Sequence, residues 1–120
     1  LPARGAKRNL QKGWYTTLKH IADALRGAIR HSDFVGRWGG EEFLLIFPAT
    51  ELADAFQITE RVRQAIGAIS IAHRLGPVTV SASIGLTRQI AGERFVAALD
   101  RADSALLRAK RDGRDRTVIG

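Results

Sequence analysis

Cysteine and methionine are both absent from the 120 residues, prolines number three, and aromatic residues make up 7%. Without cysteine there is no disulfide framework and no thiolate metal site, which suits a reducing compartment, so a cytoplasmic domain is the expectation. Long apolar runs are missing too. They reach only five residues, as in Phe43 to Phe47, against the roughly 20 that a spanning helix needs, and the N-terminus has no secretory apolar segment. Neither membrane insertion nor a signal peptide is expected. No repeat or low-complexity tract occurs. Apolar residues at 45% and charged residues at 26% are ordinary for a globular chain, and the length fits one domain and excludes a two-domain enzyme.

Acidic residues are missing from the first twenty positions, which carry Arg4, Lys7, Arg8, Lys12 and Lys19. Residues 61–120 hold eleven Lys/Arg against five Asp/Glu, so the net charge of +7 is concentrated at the two ends. A phosphate-bearing partner follows from this charge. It can be a polyanion or a small phosphorylated ligand held by a few placed cations. No aromatic platform or recognition helix supports a nucleic-acid polymer.

Leu1 to Gly13 reads as a basic, linker-like stretch, and a 1–16 segment is set apart from a 17–120 domain. From Thr17, Leu18, Ile21, Ala22, Leu25, Ala28 and Ile29 recur at helical spacing to about His31. Phe34 to Trp38 and Glu42 to Phe47 flank Gly39-Gly40, a hairpin signal in which both glycines are expected at positive φ. Thr50 is placed to cap a second helix that buries Leu52, Ala55, Phe56, Val62, Ile66 and Ile69. Val78 to Leu86 alternates as one strand with an apolar and a small polar face. A third helix from about Glu93 to Arg111, with Phe95, Val96, Leu99, Ala102, Leu106 and Ala109 inward, stops near Gly113 and leads to a strand at Thr117 to Ile119. The fold expected is α/β of the α+β kind, with helices packed on a mainly antiparallel central sheet.

Arg37-Trp38-Gly39-Gly40-Glu41-Glu42-Phe43 puts two adjacent carboxylates at a tight turn. Adjacent strand residues point to opposite faces, so one of Glu41 and Glu42 is expected to face a ligand and the other the scaffold. Glycine lets backbone approach a phosphate, and a carboxylate beside it can hold Mg²⁺. A solvated hairpin tip is the competing reading of the same residues. Trp14 and Trp38 can stack on a base or pack half-buried, and His20, His31 and His73, lacking clustered partners, are read as surface residues.

Three further motifs accompany the hairpin: Arg30-His31-Ser32-Asp33, Val80-Ser81-Ala82-Ser83-Ile84-Gly85, and Ala102-Asp103-Ser104-Ala105-Leu106 with Ala109-Lys110 and Gly113-Arg114. With Gly39-Gly40-Glu41-Glu42-Phe43 they resemble the GGDEF family of diguanylate cyclase domains, in its GGEEF variant, from about Leu18 to the C-terminus. The resemblance implies a nucleotide-cyclase, palm-like architecture. It also implies synthesis of cyclic di-GMP from two GTP in a homodimer, with Mg²⁺ or Mn²⁺ as cofactor. Glu41 takes the metal-binding position and Glu42 the neighbouring acidic one. Gly39 and Gly40 pack on nucleotide, and Lys110 and Arg114 take a terminal phosphate. Arg30 and Asp33, with Arg61, match a product-inhibition site. Lys110 and Arg114 would also complement a helix C-terminus without any ligand, and Arg30 and Asp33 could be a plain surface pair. The resemblance further implies an output domain of a larger sensor or response-regulator protein.

The likeness departs at the N-terminus. Leu1-Pro2-Ala3-Arg4 is similar to the family's opening LPNR, yet the strand that ends in a metal-binding aspartate and the FKxxND and GHxxGD segments are missing. Residues 5–16 contain no Asp or Glu, and Tyr15 falls where the guanine-binding aspartate belongs. Part of the N-terminal half is therefore expected to be lacking, leaving apolar faces of helix and sheet open. A catalytically inactive cyclic di-GMP-binding module is the alternative to the enzyme, and a basic nucleic-acid binder a weaker third.

Overall fold

The computed structural model describes the backbone of residues 4–120 and side chains from Tyr15 onward. Element order is α1 (Arg4–Ala28), β1 (Phe34–Gly39), β2 (Glu42–Ile46), α2 (Leu52–Gly67), β3 (Ser70–Ile71), β4 (Val78–Thr79), β5 (Ile84–Leu86), α3 (Phe95–Arg111) and β6 (Thr117–Ile119). α1 starts thirteen residues before the helix read from periodicity, so the linker expected over Leu1 to Gly13 is helical from Arg4. Ala6, Lys7, Arg8, Leu10, Gln11 and Lys12 are strong helix formers, and Gly5 and Gly13, at about 1 kcal/mol each, do not break such a run. The Trp14 reading and the side chains of the N-terminal basic cluster up to Lys12 lie outside the described residues.

The core forms where α1 and α2 meet under one face of the first hairpin. Leu25 and Ala28 pack on Val62 and Ile66, covered by Val35, Phe43 and Leu45. Alternation along β1 and β2 explains the selection, because Val35 pairs with Leu45, and Phe43, two residues from Leu45, shares its face. Burying each such large aliphatic side chain is worth about 1.5–3 kcal/mol. α2 also buries Ile58 and Thr59, and leaves Phe56 only half-buried. Thr59 is tolerated there because its hydroxyl donates to the Phe56 carbonyl (2.7 Å) and accepts from the Thr117 hydroxyl (3.4 Å). Glu51, not Thr50, is the residue that precedes α2, and the Thr50 hydroxyl donates to the Pro48 carbonyl instead.

The strands form three pairs, β1-β2 and β3-β4 antiparallel and β5-β6 parallel. The antiparallel bias holds, but the single strand expected over Val78 to Leu86 is split. Val78 and Thr79 pair with β3, Ile84 to Leu86 pair with β6, and residues 80–83 belong to neither pair. They line a cavity of about 770 Å³ that opens between β2 and the 80–86 segment, with α3 as its floor. Trp38, Ile46 and Phe95 on its walls remain exposed. Among the described residues no helix is long and apolar enough to cross a membrane.

α3 lies on β5-β6 through Ala98, Ala105 and Ala109, the last two wholly buried. Its expected inward residues Phe95 and Val96 are exposed, while Leu99 and Leu106 face the cavity. The rotation follows from Gly85: a Cβ there would sit 2.1 Å from the Ala102 carbonyl oxygen and 2.5 Å from the Leu106 nitrogen. Only glycine permits that approach, and the smallest helix residues face the sheet beside it. Gly85→Ala should therefore lower unfolding free energy by about 1–3 kcal/mol, as overpacking does, whereas Gly36→Ala, with open space around it, serves as the control. Urea denaturation of both variants checks this.

Candidate active site

The first hairpin turns at Gly40 and Glu41. Gly40 has φ +48, but Gly39 ends β1, pairs with Glu42 and keeps negative φ, so the expectation of two left-handed glycines is corrected. A register shift between Arg37 and Gly39 adds a bulge, and the Arg37 guanidinium Nε donates to the Gly40 carbonyl at 2.9 Å, bracing the turn. Since Glu41 belongs to the turn, strand alternation does not separate it from Glu42. Both residues line the cavity, so they are not divided between cavity and scaffold in the way expected of adjacent strand positions.

The facing wall comes from the end of α3. Lys110 and Arg114 line the same cavity, with Asp103 two turns earlier on nearly the same face of α3 as Lys110, and Ser81 and Ser83 from the 80–83 segment. Lys110 Nζ lies 4.0 Å from Glu42 Oε1, with both side chains partly exposed. Such a pair is worth about 0–1 kcal/mol and opens readily to a ligand. Arg114 is placed by the way α3 stops: Gly113 has φ +116, and the Arg114 amide donates back to the Ala109 carbonyl at 2.9 Å, a Schellman closure. Two carboxylates and two cations thus share one cavity, able to receive phosphate oxygens on one wall and their counter-cation on the other.

Arg30, Asp33 and Arg61 meet away from that cavity, at the C-terminal end of α1. Arg30 makes a two-pronged pair with Asp33, Nη2 to Oδ1 at 2.7 Å and Nε to Oδ2 at 3.0 Å, and its backbone amide donates to Oδ2 at 2.8 Å. Arg30 also donates to the Thr50 hydroxyl. The Asp33 side chain is fully enclosed. Its hydrogen bonds from Arg30, against the opposing effect of burial, hold its carboxyl below the ordinary range, and the nearby Arg61 adds to this. Arg61 itself donates to the Ala28 carbonyl at 3.3 Å, capping α1. His20, His31 and His73 are exposed, as read from the sequence.

Residues 16–116 match the family described as "Diguanylate cyclase, GGDEF domain". The chain belongs to the GGDEF family. It is 46% identical over 102 residues to diguanylate cyclase DgcP of Pseudomonas aeruginosa, covering 85% of this chain and 15% of that protein. The crystal structure of diguanylate cyclase SiaD in complex with its activator SiaC, from the same organism, superposes with a TM-score of 0.84 at 43% identity, over 88% of this chain and 40% of that one. The active GGEEF domain of a diguanylate cyclase from Vibrio cholerae gives a TM-score of 0.73 at 29% identity, over 87% and 66%. The GGDEF domain described here thus spans only a minor part of the first two relatives.

Metal chemistry in this GGDEF domain has a limited donor set. Among the described residues no three His, Cys, Asp or Glu side chains cluster to hold an ion. Mg²⁺ commonly takes one or two carboxylates and completes its shell with waters and substrate phosphates. Glu41, at the turn, fits as such a protein ligand, and Glu42 is tied to Lys110. A site with two metals, each held by several carboxylates, does not fit these residues alone.

Several residues that hold the site together were not singled out from the sequence. Arg101 bridges Glu93, the Thr87 hydroxyl and the Arg88 carbonyl, fixing the 87–94 loop where it borders the cavity. Glu93, bonded by Arg101 and the Ile90 amide, has its carboxyl pushed down to about 2. Arg63 ties α2 to Asp115. Arg63 and Asp115 are 52 residues apart, and Arg101 reaches 8 to 14 residues back along the chain, so no local motif marks these partners.

The Arg30-Asp33 pair carries a pH prediction. Because the folded Asp33 carboxyl is more acidic than the unfolded one, its stabilisation is present above the ordinary carboxylate range and is lost as pH falls through its folded value. Asp33→Asn should lower the thermal midpoint at pH 7, and the gap from wild type should shrink as the pH is brought down below 4. Scanning calorimetry between pH 7 and pH 2 measures both.

Proposed function

We propose that this domain, with a second copy, condenses two GTP molecules into cyclic di-GMP. The observation that carries the reading is the placement of Glu41 and Glu42 with Lys110 and Arg114 around one cavity, on a hairpin whose sequence is the GGEEF variant. In this reading Glu41 is the protein ligand to a divalent cation, Mg²⁺ or Mn²⁺, bound with the nucleotide. When bound, the cation would neutralise charge that develops at the α-phosphate as the 3′-hydroxyl of the other GTP, losing its proton to solvent, attacks it and the α–β bond breaks to release pyrophosphate. Lys110 and Arg114 hold the terminal phosphate, Glu42 keeps Lys110 oriented until nucleotide arrives, and the Gly39-Gly40 backbone packs beside the base or phosphates. The reaction needs no protein nucleophile, so positioning and fixed charge do the catalytic work.

A second reading, a module that binds cyclic di-GMP without making it, is favoured by one observation: Arg30, Asp33 and Arg61 come together while the described residues offer no three-carboxylate cluster. A planar guanidinium fork suits a phosphate or a guanine edge. For Asp33 to accept from guanine, Arg30 must first release it. In the enzyme reading the same residues form the product-inhibition site.

Incubation with GTP and Mg²⁺ at high protein concentration, followed by chromatography for cyclic di-GMP, tests the enzyme. Glu41→Gln should abolish Mg²⁺-dependent GTP binding, while stability changes by less than about 0.5 kcal/mol, as for exposed substitutions. Product absent, with cyclic di-GMP binding that weakens in Arg30→Ala by calorimetric titration, selects the binding module.

A further inference from the structure

Three consecutive residues, Gly113, Arg114 and Asp115, have φ of +116, +64 and +45. Glycine adopts that conformation freely, but Arg114 and Asp115 do so only where the surroundings enforce it. On the N-terminal side the enforcement is the closure of the Arg114 amide on the Ala109 carbonyl. On the C-terminal side it comes from another element. Arg63, on α2, donates through Nη1 to Asp115 Oδ1 at 2.9 Å and to the Asp115 carbonyl at 3.4 Å. Its remaining donors are fixed by Glu60, Nη2 to Oε2 at 2.8 Å and Nε to the same oxygen at 3.3 Å. Arg63 is about three-quarters shielded, and it does not line the cavity, whereas Arg114, one residue before its partner, does.

We infer that Arg63 is a positioning residue for nucleotide binding: by pinning Asp115 from α2, it holds the left-handed turn that presents Arg114 to the phosphates. The inference rests on the proposed role of Arg114. Arginine suits the task because its planar fork spans two carboxylates at once, one on its own helix and one on the loop. Removing the pin frees Asp115 to leave the left-handed region, and the Arg114 side chain then starts from a different direction. Phosphate affinity falls although no phosphate-touching group has been altered.

The test is a ¹H–¹⁵N NMR titration of the full chain with GTP and Mg²⁺, following backbone amides of residues 109–117. Wild type is compared with Arg63→Gln, Asp115→Asn, Arg114→Asn and the Arg63→Gln, Arg114→Asn pair; asparagine is chosen at 114 because it tolerates positive φ. Arg63→Gln should weaken GTP binding by about three- to tenfold, speed amide exchange at residues 114–116 and leave the helical circular dichroism unchanged. Asp115→Asn, which keeps an Oδ1 acceptor and tolerates positive φ, should weaken GTP less than Arg63→Gln does. In the Arg114→Asn background Arg63→Gln should weaken GTP no further. Unchanged affinity in Arg63→Gln, or an equal loss with and without Arg114, overturns the inference. If Arg114→Asn alone leaves GTP affinity unchanged, the phosphate role of Arg114 fails and the positioning role falls with it. Accelerated exchange at 114–116 in Arg63→Gln then still separates a real pin from an absent one.

Discussion

α3 can rest directly on β5 because residue 85 has no side chain, and the cavity's positive wall depends on that contact. The helix backbone at Ala102 and Leu106 sits where a Cβ of residue 85 would be. This depth sets the height of Lys110 above the sheet and the point at which the chain leaves the helix toward Arg114. β6 follows as the parallel neighbour of β5, and its Gly120 amide closes on the Leu86 carbonyl at 2.8 Å. A helix lifted by one methyl group would carry Lys110 away from Glu42 and the 113–115 turn away from Arg63. The first hairpin, anchored separately on α1 and α2, would not follow it.

The two charged clusters of this GGDEF domain are built to different ends. Arg30 and Asp33 satisfy each other through a bidentate pair with an enclosed carboxylate, the arrangement of charges that are expensive to separate. Glu42 and Lys110 touch at 4.0 Å and stay partly solvated. Groups meant to exchange partners with a ligand benefit from such loose mutual pairing, since little is lost when the ligand replaces it. The Arg30 cluster has to break internal bonds before its carboxylate can serve anything else.

Local patterns made much of this legible in the sequence. The 3.6-residue period located α2 and α3, and the Gly39-Gly40 signal located the hairpin. What failed did so for tertiary reasons. Alternation over Val78 to Leu86 is continuous, yet the segment is divided because its two ends pair with different strands. Glu41 and Glu42 read as opposite-facing because the turn lies one residue later than the glycine pair suggests. Phe95 and Val96 look like core residues by hydropathy, but the closeness demanded at Gly85 turns alanines inward instead. Arg63 and Asp115 are 52 residues apart, and no periodicity links them.

The alanines at the base of α3 have one more consequence. Ala98, Ala105 and Ala109 have no rotamers to lose, and neither does Gly85, against which the helix backbone at Ala102 and Leu106 rests, so these particular contacts consume no side-chain conformational entropy. A helix docked through leucines would gain more from burial, but would also surrender about 0.5–1 kcal/mol of rotameric freedom at each one. Lys110 therefore projects from a support whose registry is set by backbone contact, with few alternative packings of nearly equal energy available to blur its position.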